Sequence, residues 1–221
     1  MSERDGPLLV PRTAEGPAMA ARAPLALFEM RRMEALSTTI CGVAMTLLAY
    51  QVPRVQFKTA DPKWGDILLN YGSQLSALML SFIVAGTYWY SQHRRLAYSP
   101  LGNRLEVIVN LLFLMMIVVL PVTTGLYGNY VNSADVTAFY GFNLALISLF
   151  DALLWGIAVA PRRDWMAMVP PAFANLILVS GAILALFEPT WPRYVWPLAF
   201  AAPLLASSLD RWKQRRGKPA A

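Results

Sequence analysis

Apolar residues in this chain come in long unbroken runs, not at alternating positions. The runs fall at residues 32–52, 65–92, 105–127, 136–159, 166–187 and 191–208. A hydrocarbon layer about 30 Å thick is crossed by roughly 20 residues of helix, and the runs match that length. Lipid offers no hydrogen bonds, so a spanning backbone must satisfy its own N–H and C=O groups, in helices or in a closed barrel. Continuous runs without a period of two favour helices. The pattern predicts an all-α integral membrane protein with six transmembrane helices. The last run is short and interrupted by Pro192, Pro197 and Pro203.

The remaining segments are read from what surrounds these runs. Residues 1–28 contain Pro7, Pro11, Pro17 and Pro24 and no long apolar core ahead of a cleavage site. They predict a disordered tail and not a signal peptide. Residues 29–210 form the transmembrane domain, and residues 211–221 a basic tail. Aromatic residues gather at the run ends (Trp64, Trp89, Tyr127, Tyr130, Trp165, Trp191, Trp196 and Trp212), as expected of anchors at the membrane–water boundary.

Composition and charge sharpen this picture. Of 221 residues, 57% are hydrophobic and 14% charged, whereas a soluble domain carries about a quarter charged. The net charge is +6, but the basic residues sit at span ends, so orientation in a membrane explains them better than nucleic-acid binding. One side of the predicted layout carries fifteen Lys and Arg, the other four (Arg54, Lys58, Lys63 and Arg193). The positive-inside rule then puts both termini in the cytoplasm of a cell whose inner membrane the chain crosses. The C-terminal run Arg211, Lys213, Arg215, Arg216 and Lys218 suits anionic lipid headgroups.

Little chemistry of other kinds is available. The single cysteine, Cys41, cannot form an intrachain disulfide or a thiolate cage. The single histidine, His93, cannot supply two axial ligands to a haem. There is no phosphate-cradling glycine loop, metal-ligand cluster or nucleophile–base pairing, so neither an enzyme nor a resident cofactor or metal is expected. Thr124-Gly125-Leu126-Tyr127-Gly128 superficially matches a potassium-channel filter loop, but its glycine falls one place early and no re-entrant helix precedes it. Glycines closing the third helix and an interfacial tyrosine are the better reading.

The first span holds two stripes at helical spacing. Ala35, Gly42 and Ala49 recur every seven residues, and small residues at that interval let another helix approach closely. Leu36, Ile40, Val43, Thr46, Leu47 and Tyr50 form a second, apolar stripe with one hydroxyl. Periodicity alone leaves two readings of it: ordinary bundle packing, or a hydrophobic constriction facing a pore. Three other polar features stand out. Glu106 is matched in depth by Arg32, which leaves two readings: an ion pair between the first and third helices, or each side chain reaching water separately. His93 follows Trp89 by four residues and is placed to join Ser37 or Asn110, or else to sit at the membrane edge. Asp151 lies inside the fourth span, with Asn143, Ser148 or a neighbouring subunit as candidate partners.

The start of the first span resembles the signature of the transmembrane protein 175 family of potassium-permeable channels. That signature is Arg, three residues, then Phe-Ser-Asp; here it reads Arg32, then Leu36-Ser37-Thr38, followed by Val43-Ala44-Met45-Thr46-Leu47-Leu48. Ser81 to Trp89 with His93 are similar to the family's second helix, and Asn110 to Leu114 with Leu120-Pro121 and Thr123 to its third. The departures are Leu36 for Phe and Thr38 for Asp, which removes a titratable carboxylate. The resemblance implies a prokaryotic homotetramer of six-helix subunits, the first helix of each lining a central pore permeable to potassium ions. It further implies an aliphatic ring at Val43, a threonine ring at Thr46, and Leu47 and Tyr50 as the neighbouring pore positions. Arg32, Ser37, Thr38, His93, Glu106 and Asn110 are the implied signature and inter-helix network. Two other functions compete: a secondary transporter, weakened by the missing repeat and few intramembrane polar groups, and a non-conducting membrane scaffold of the same fold.

Overall fold

A computed structural model of the chain describes residues 17–53, 61–98 and 104–216, and they are helical apart from short connections. The helices are α1 (Pro17–Tyr50), α2 (Trp64–Tyr98), α3 (Arg104–Asn129), α4 (Ala134–Val159), α5 (Val169–Ala185), α6 (Pro192–Val195) and α7 (Ala202–Arg216). Among the described residues, five stretches are long and apolar enough to cross a membrane: Arg32–Tyr50, Trp64–Leu96, Arg104–Asn129, Ala134–Val159 and Trp165–Ala185. The chain is a multi-pass membrane protein.

The sixth apolar run is a broken segment. α6 passes into the 3-10 turn Trp196–Ala201 and then into α7. Pro197 has no N–H to donate and its ring crowds the preceding turn, which disfavours a regular α-helix there. α1 begins at Pro17, inside the stretch 1–28 expected as a tail; Ala18, Ala20, Ala21 and Ala23 are strong helix formers. Residues 1–16 of that stretch lie outside the described residues. α2 continues past the predicted end at Gln92 to Tyr98, and this changes the site described below.

α3 packs against α1, α2 and α4, while α5 packs against α4 and the broken segment. α3 and α4 therefore join an α1–α3 group to an α4–α7 group. Between them run fully buried Phe113, Ile117, Leu120, Leu144, Ile147 and Leu154.

Two residues expected at the membrane boundary are core residues instead. Tyr127 and Tyr140 stack with ring centroids 4.7 Å apart and an interplanar angle of 3°, and Trp196 meets both edge-on at 5.8 and 5.2 Å. The 3-10 turn drives Trp196 inward until it is wholly buried. Trp64, Tyr130, Trp165 and Trp191 are exposed, as expected of boundary anchors.

Room for the indole comes from Gly141 and Gly181. A Cβ on Gly141 would lie 2.8 Å from Trp196 Cζ2 and 3.0 Å from Ala182 Cα. The second of these is backbone and cannot swing away. Gly141→Ala is therefore expected to destabilise the protein by about 1–3 kcal/mol, lowering Tm by several degrees in a thermal unfolding experiment in detergent. Gly86→Ala, with open space around its Cβ, should leave Tm nearly unchanged; an equal loss from both would mean that the indole contact is not the cause.

Candidate functional site

α1 has two unlike faces. Met33, Ser37, Cys41, Ala44 and Leu48 recur every three or four residues and are buried against the rest of the chain. Leu36, Val43, Leu47 and Tyr50 are exposed, Tyr50 to 84%, as are Thr38 and Thr46. Ile40 is half-buried and packs against the core. The small stripe Ala35, Gly42 and Ala49 is exposed too, and nothing lies within 4 Å of a Cβ built on Gly42. The chain's own helices thus leave both stripes open. The Thr46 hydroxyl donates to the Val43 carbonyl at 2.7 Å, one turn back on the same helix.

The buried face of α1 ends in a polar network. Asn110 Nδ2 donates to Ser37 Oγ at 3.2 Å. Asn110 Oδ1 accepts from Gln92 Nε2 at 3.0 Å and from Arg95 Nη2 at 3.3 Å. Arg95 Nη1 completes an ion pair with Glu106. Gln92 and Arg95 stand three residues apart on α2, and Glu106 and Asn110 four apart on α3, so each pair shares a helix face. All five side chains are buried. In a low-dielectric interior a lone guanidinium or carboxylate is costly, and only a hydrogen-bonded pair is tolerable there.

The network contains a cation that sequence depth did not indicate. The guanidinium that meets Glu106 belongs to Arg95, where sequence depth suggested Arg32; Arg32 lies exposed at the start of the span. Arg95 was assigned to a loop because α2 was ended at Gln92. The signal that could have found it is helical spacing, since one more turn of α2 brings Arg95 onto the face of Gln92. Ser37 and Asn110 meet each other directly, without His93. His93 stands at the edge, its Nδ1 3.6 Å from Glu34 Oε1 and its ring 4.5 Å from that of Trp89. Of the signature triplet only Ser37 is buried; the two departures, Leu36 and Thr38, are both on the exposed face.

Further polar groups are satisfied elsewhere. The Ser91 hydroxyl lies 3.1 and 3.0 Å from the two Asp151 carboxylate oxygens, and Trp155 Nε1 donates to Ser91 Oγ at 2.8 Å. Asp151 thus finds its partner on α2, not in Asn143 or Ser148. Asn143 instead accepts from Thr123 at 3.2 Å and donates to the Met116 carbonyl at 3.2 Å. Residues Thr124 to Gly128 remain helical within α3, so no filter loop forms there. Among the described residues no three His, Cys, Asp or Glu side chains gather as metal ligands.

Removing one partner of the buried pair leaves the other charge uncompensated. Arg95→Ala should cost about 3–5 kcal/mol, whereas Arg95→Met combined with Glu106→Leu should recover most of that loss. Thermal unfolding of the two variants in detergent decides it. A double variant no more stable than Arg95→Ala would show that the charges are not what the site requires.

Comparison with known proteins bears on this arrangement. The sequence profile described as endosomal/lysosomal potassium channel TMEM175 matches residues 32–121, the part that holds both the α1 stripes and the buried network. A protein named as a potassium channel from Streptomyces collinus is 27% identical over 146 residues, covering 62% of this chain and 70% of that protein. The crystal structure of a lysosomal potassium-selective channel TMEM175 homolog from Chamaesiphon minutus superposes with a TM-score of 0.69 at 21% identity, covering 80% of this chain and 97% of the homolog. The family and both relatives carry the names of channels and not of enzymes. Residues 32–121 thus match the TMEM175 profile, and the fold is that of a TMEM175 homolog.

Proposed function

We propose that the protein is a potassium-permeable cation channel of the inner membrane, a homotetramer in which α1 of each subunit lines a central pore. The observation that carries this reading is the mixed character of the exposed α1 face. Between its two ends the exposed face of α3, with Ile108, Leu111, Met115, Val118 and Val122, is apolar and suits lipid. The exposed face of α1 mixes Leu36, Val43, Leu47 and Tyr50 with Thr38, Thr39, Thr46 and Gly42. Hydroxyls and a bare backbone gain nothing from lipid, but they suit a water-filled path shared with other copies of the same helix.

On this reading Val43 forms the hydrophobic constriction and Thr46 the adjoining hydroxyl ring, with Leu47 and Tyr50 further along the path. The Thr46 proton is taken by the Val43 carbonyl. Its oxygen lone pairs are then free to replace part of a potassium ion's hydration shell. No carboxylate lies on the stripe, so cation preference comes from such oxygens. The broken segment after α5 supplies the sixth crossing, both termini are cytoplasmic, membrane lipids cover the apolar faces, and the permeant ion is the only cofactor.

Ion flux from liposomes holding the purified protein tests this. Val43→Ala widens the constriction and should raise potassium flux several-fold. Thr46→Ala should lower the potassium-to-sodium flux ratio roughly two- to tenfold, the worth of about one hydrogen bond. Flux indifferent to both changes rejects the pore assignment, as does a monomer by native mass spectrometry. Saturating flux coupled to a second solute would favour a transporter, and no flux at all a scaffold.

A further inference from the structure

A cavity of about 130 Å³ lies between α2, α4, α5 and the broken segment, and no α1 residue lines it. Two facing helices contribute polar groups to it: Tyr88 and Ser91 from α2, Asp151 and Trp155 from α4. Asp151 is 2% exposed, and among the described residues its hydrogen bonds come from the single hydroxyl of Ser91. Tyr88 is 5% exposed. Its hydroxyl lies toward that of Ser148 without either oxygen meeting hydrogen-bond geometry with any group. The remaining wall is largely apolar, including Pro171, Ala174, Leu178 and Phe200. Arg94 and Asp164 also line the cavity and bring opposite charges that offset each other.

One neutral hydroxyl is little compensation for a carboxylate buried inside a membrane span. The nearby guanidinium of Arg95 is engaged by Glu106. A further positive charge is the missing partner, and its chemistry follows from the walls. An inorganic cation needs oxygens on all sides, whereas here the oxygens cluster around Asp151 and most of the lining is carbon. An ammonium group on a small apolar body satisfies both parts. The rings of Tyr88, Tyr90 and Trp155 line the same cavity and attract a cation further. We propose that this cavity is a binding site for a small protonated amine, its ammonium on Asp151 and the Tyr88 hydroxyl, and its apolar body against the α5 and Phe200 wall. The site is separate from the α1 stripes, and its occupancy does not depend on the pore reading.

Thermal unfolding of the purified full-length protein in detergent tests it, with phenethylammonium as probe and 2-phenylethanol as its neutral isostere. The ammonium should raise Tm saturably, by about 3 °C at ten times its half-saturating concentration. The alcohol at the same concentrations should not. Asp151→Asn should abolish the shift, and Ala174→Leu, which fills the cavity and keeps the carboxylate, should do the same. Either variant suffices, so misfolding of one leaves the test standing. An equal shift from the alcohol would overturn the proposal, because the cavity would then be taking any apolar molecule. A shift that survives in a folded variant would also overturn it by putting the amine elsewhere.

Discussion

A guanidinium and a carboxylate, both withdrawn from water, hold three helices in register. Arg95 of α2 faces Glu106 of α3, and Asn110 carries the contact on to Ser37 of α1. Neither charge could remain buried alone, so each compels the other helix to stay. The hydrogen bond from Asn110 to Ser37 also fixes the rotation of α1, because Ser37 lies on the same buried face as Cys41, Ala44 and Leu48. The pair therefore decides which residues α1 presents outward, and through them the proposed permeation path.

The outward face of α1 follows from that rotation. Packing within the chain uses Met33, Ser37, Cys41, Ala44 and Leu48 and leaves the two stripes open. An unpartnered face in a membrane protein ordinarily meets lipid, and that of α3 has the composition for it. The hydroxyls and glycine of α1 set it apart. The departures from the TMEM175 signature fall on this same open face, so Leu36 and Thr38 alter that face and leave the Ser37 anchor intact.

The second half of the chain is organised around an interruption. Prolines break the last apolar run, and the 3-10 turn that results turns Trp196 into the rings of Tyr127 and Tyr140. The indole fits only because Gly141 and Gly181 carry no side chains. The same broken segment contributes Phe200 to the cavity above Asp151. A local defect in helix geometry thus closes the aromatic core on one side and leaves a mostly apolar cavity beside Asp151 on the other.

The apolar runs determined by themselves that the chain is helical and crosses a membrane, because lipid leaves an unsatisfied backbone no alternative. Residue spacing likewise yielded the two stripes of α1, since a regular helix has a fixed period. What the sequence could not decide was partnership between helices. Arg95 reaches Glu106 because α2 runs beyond the apolar run to Tyr98, which hydropathy alone does not indicate. Ser91 replaced Asn143 and Ser148 beside Asp151 because the polar faces of α2 and α4 are brought together by their packing and not by distance along the chain. Tyr127 and Trp196 were read as boundary anchors because aromatic residues near span ends look alike in one dimension. Only the inward turn of the broken segment distinguishes a buried indole from an exposed one.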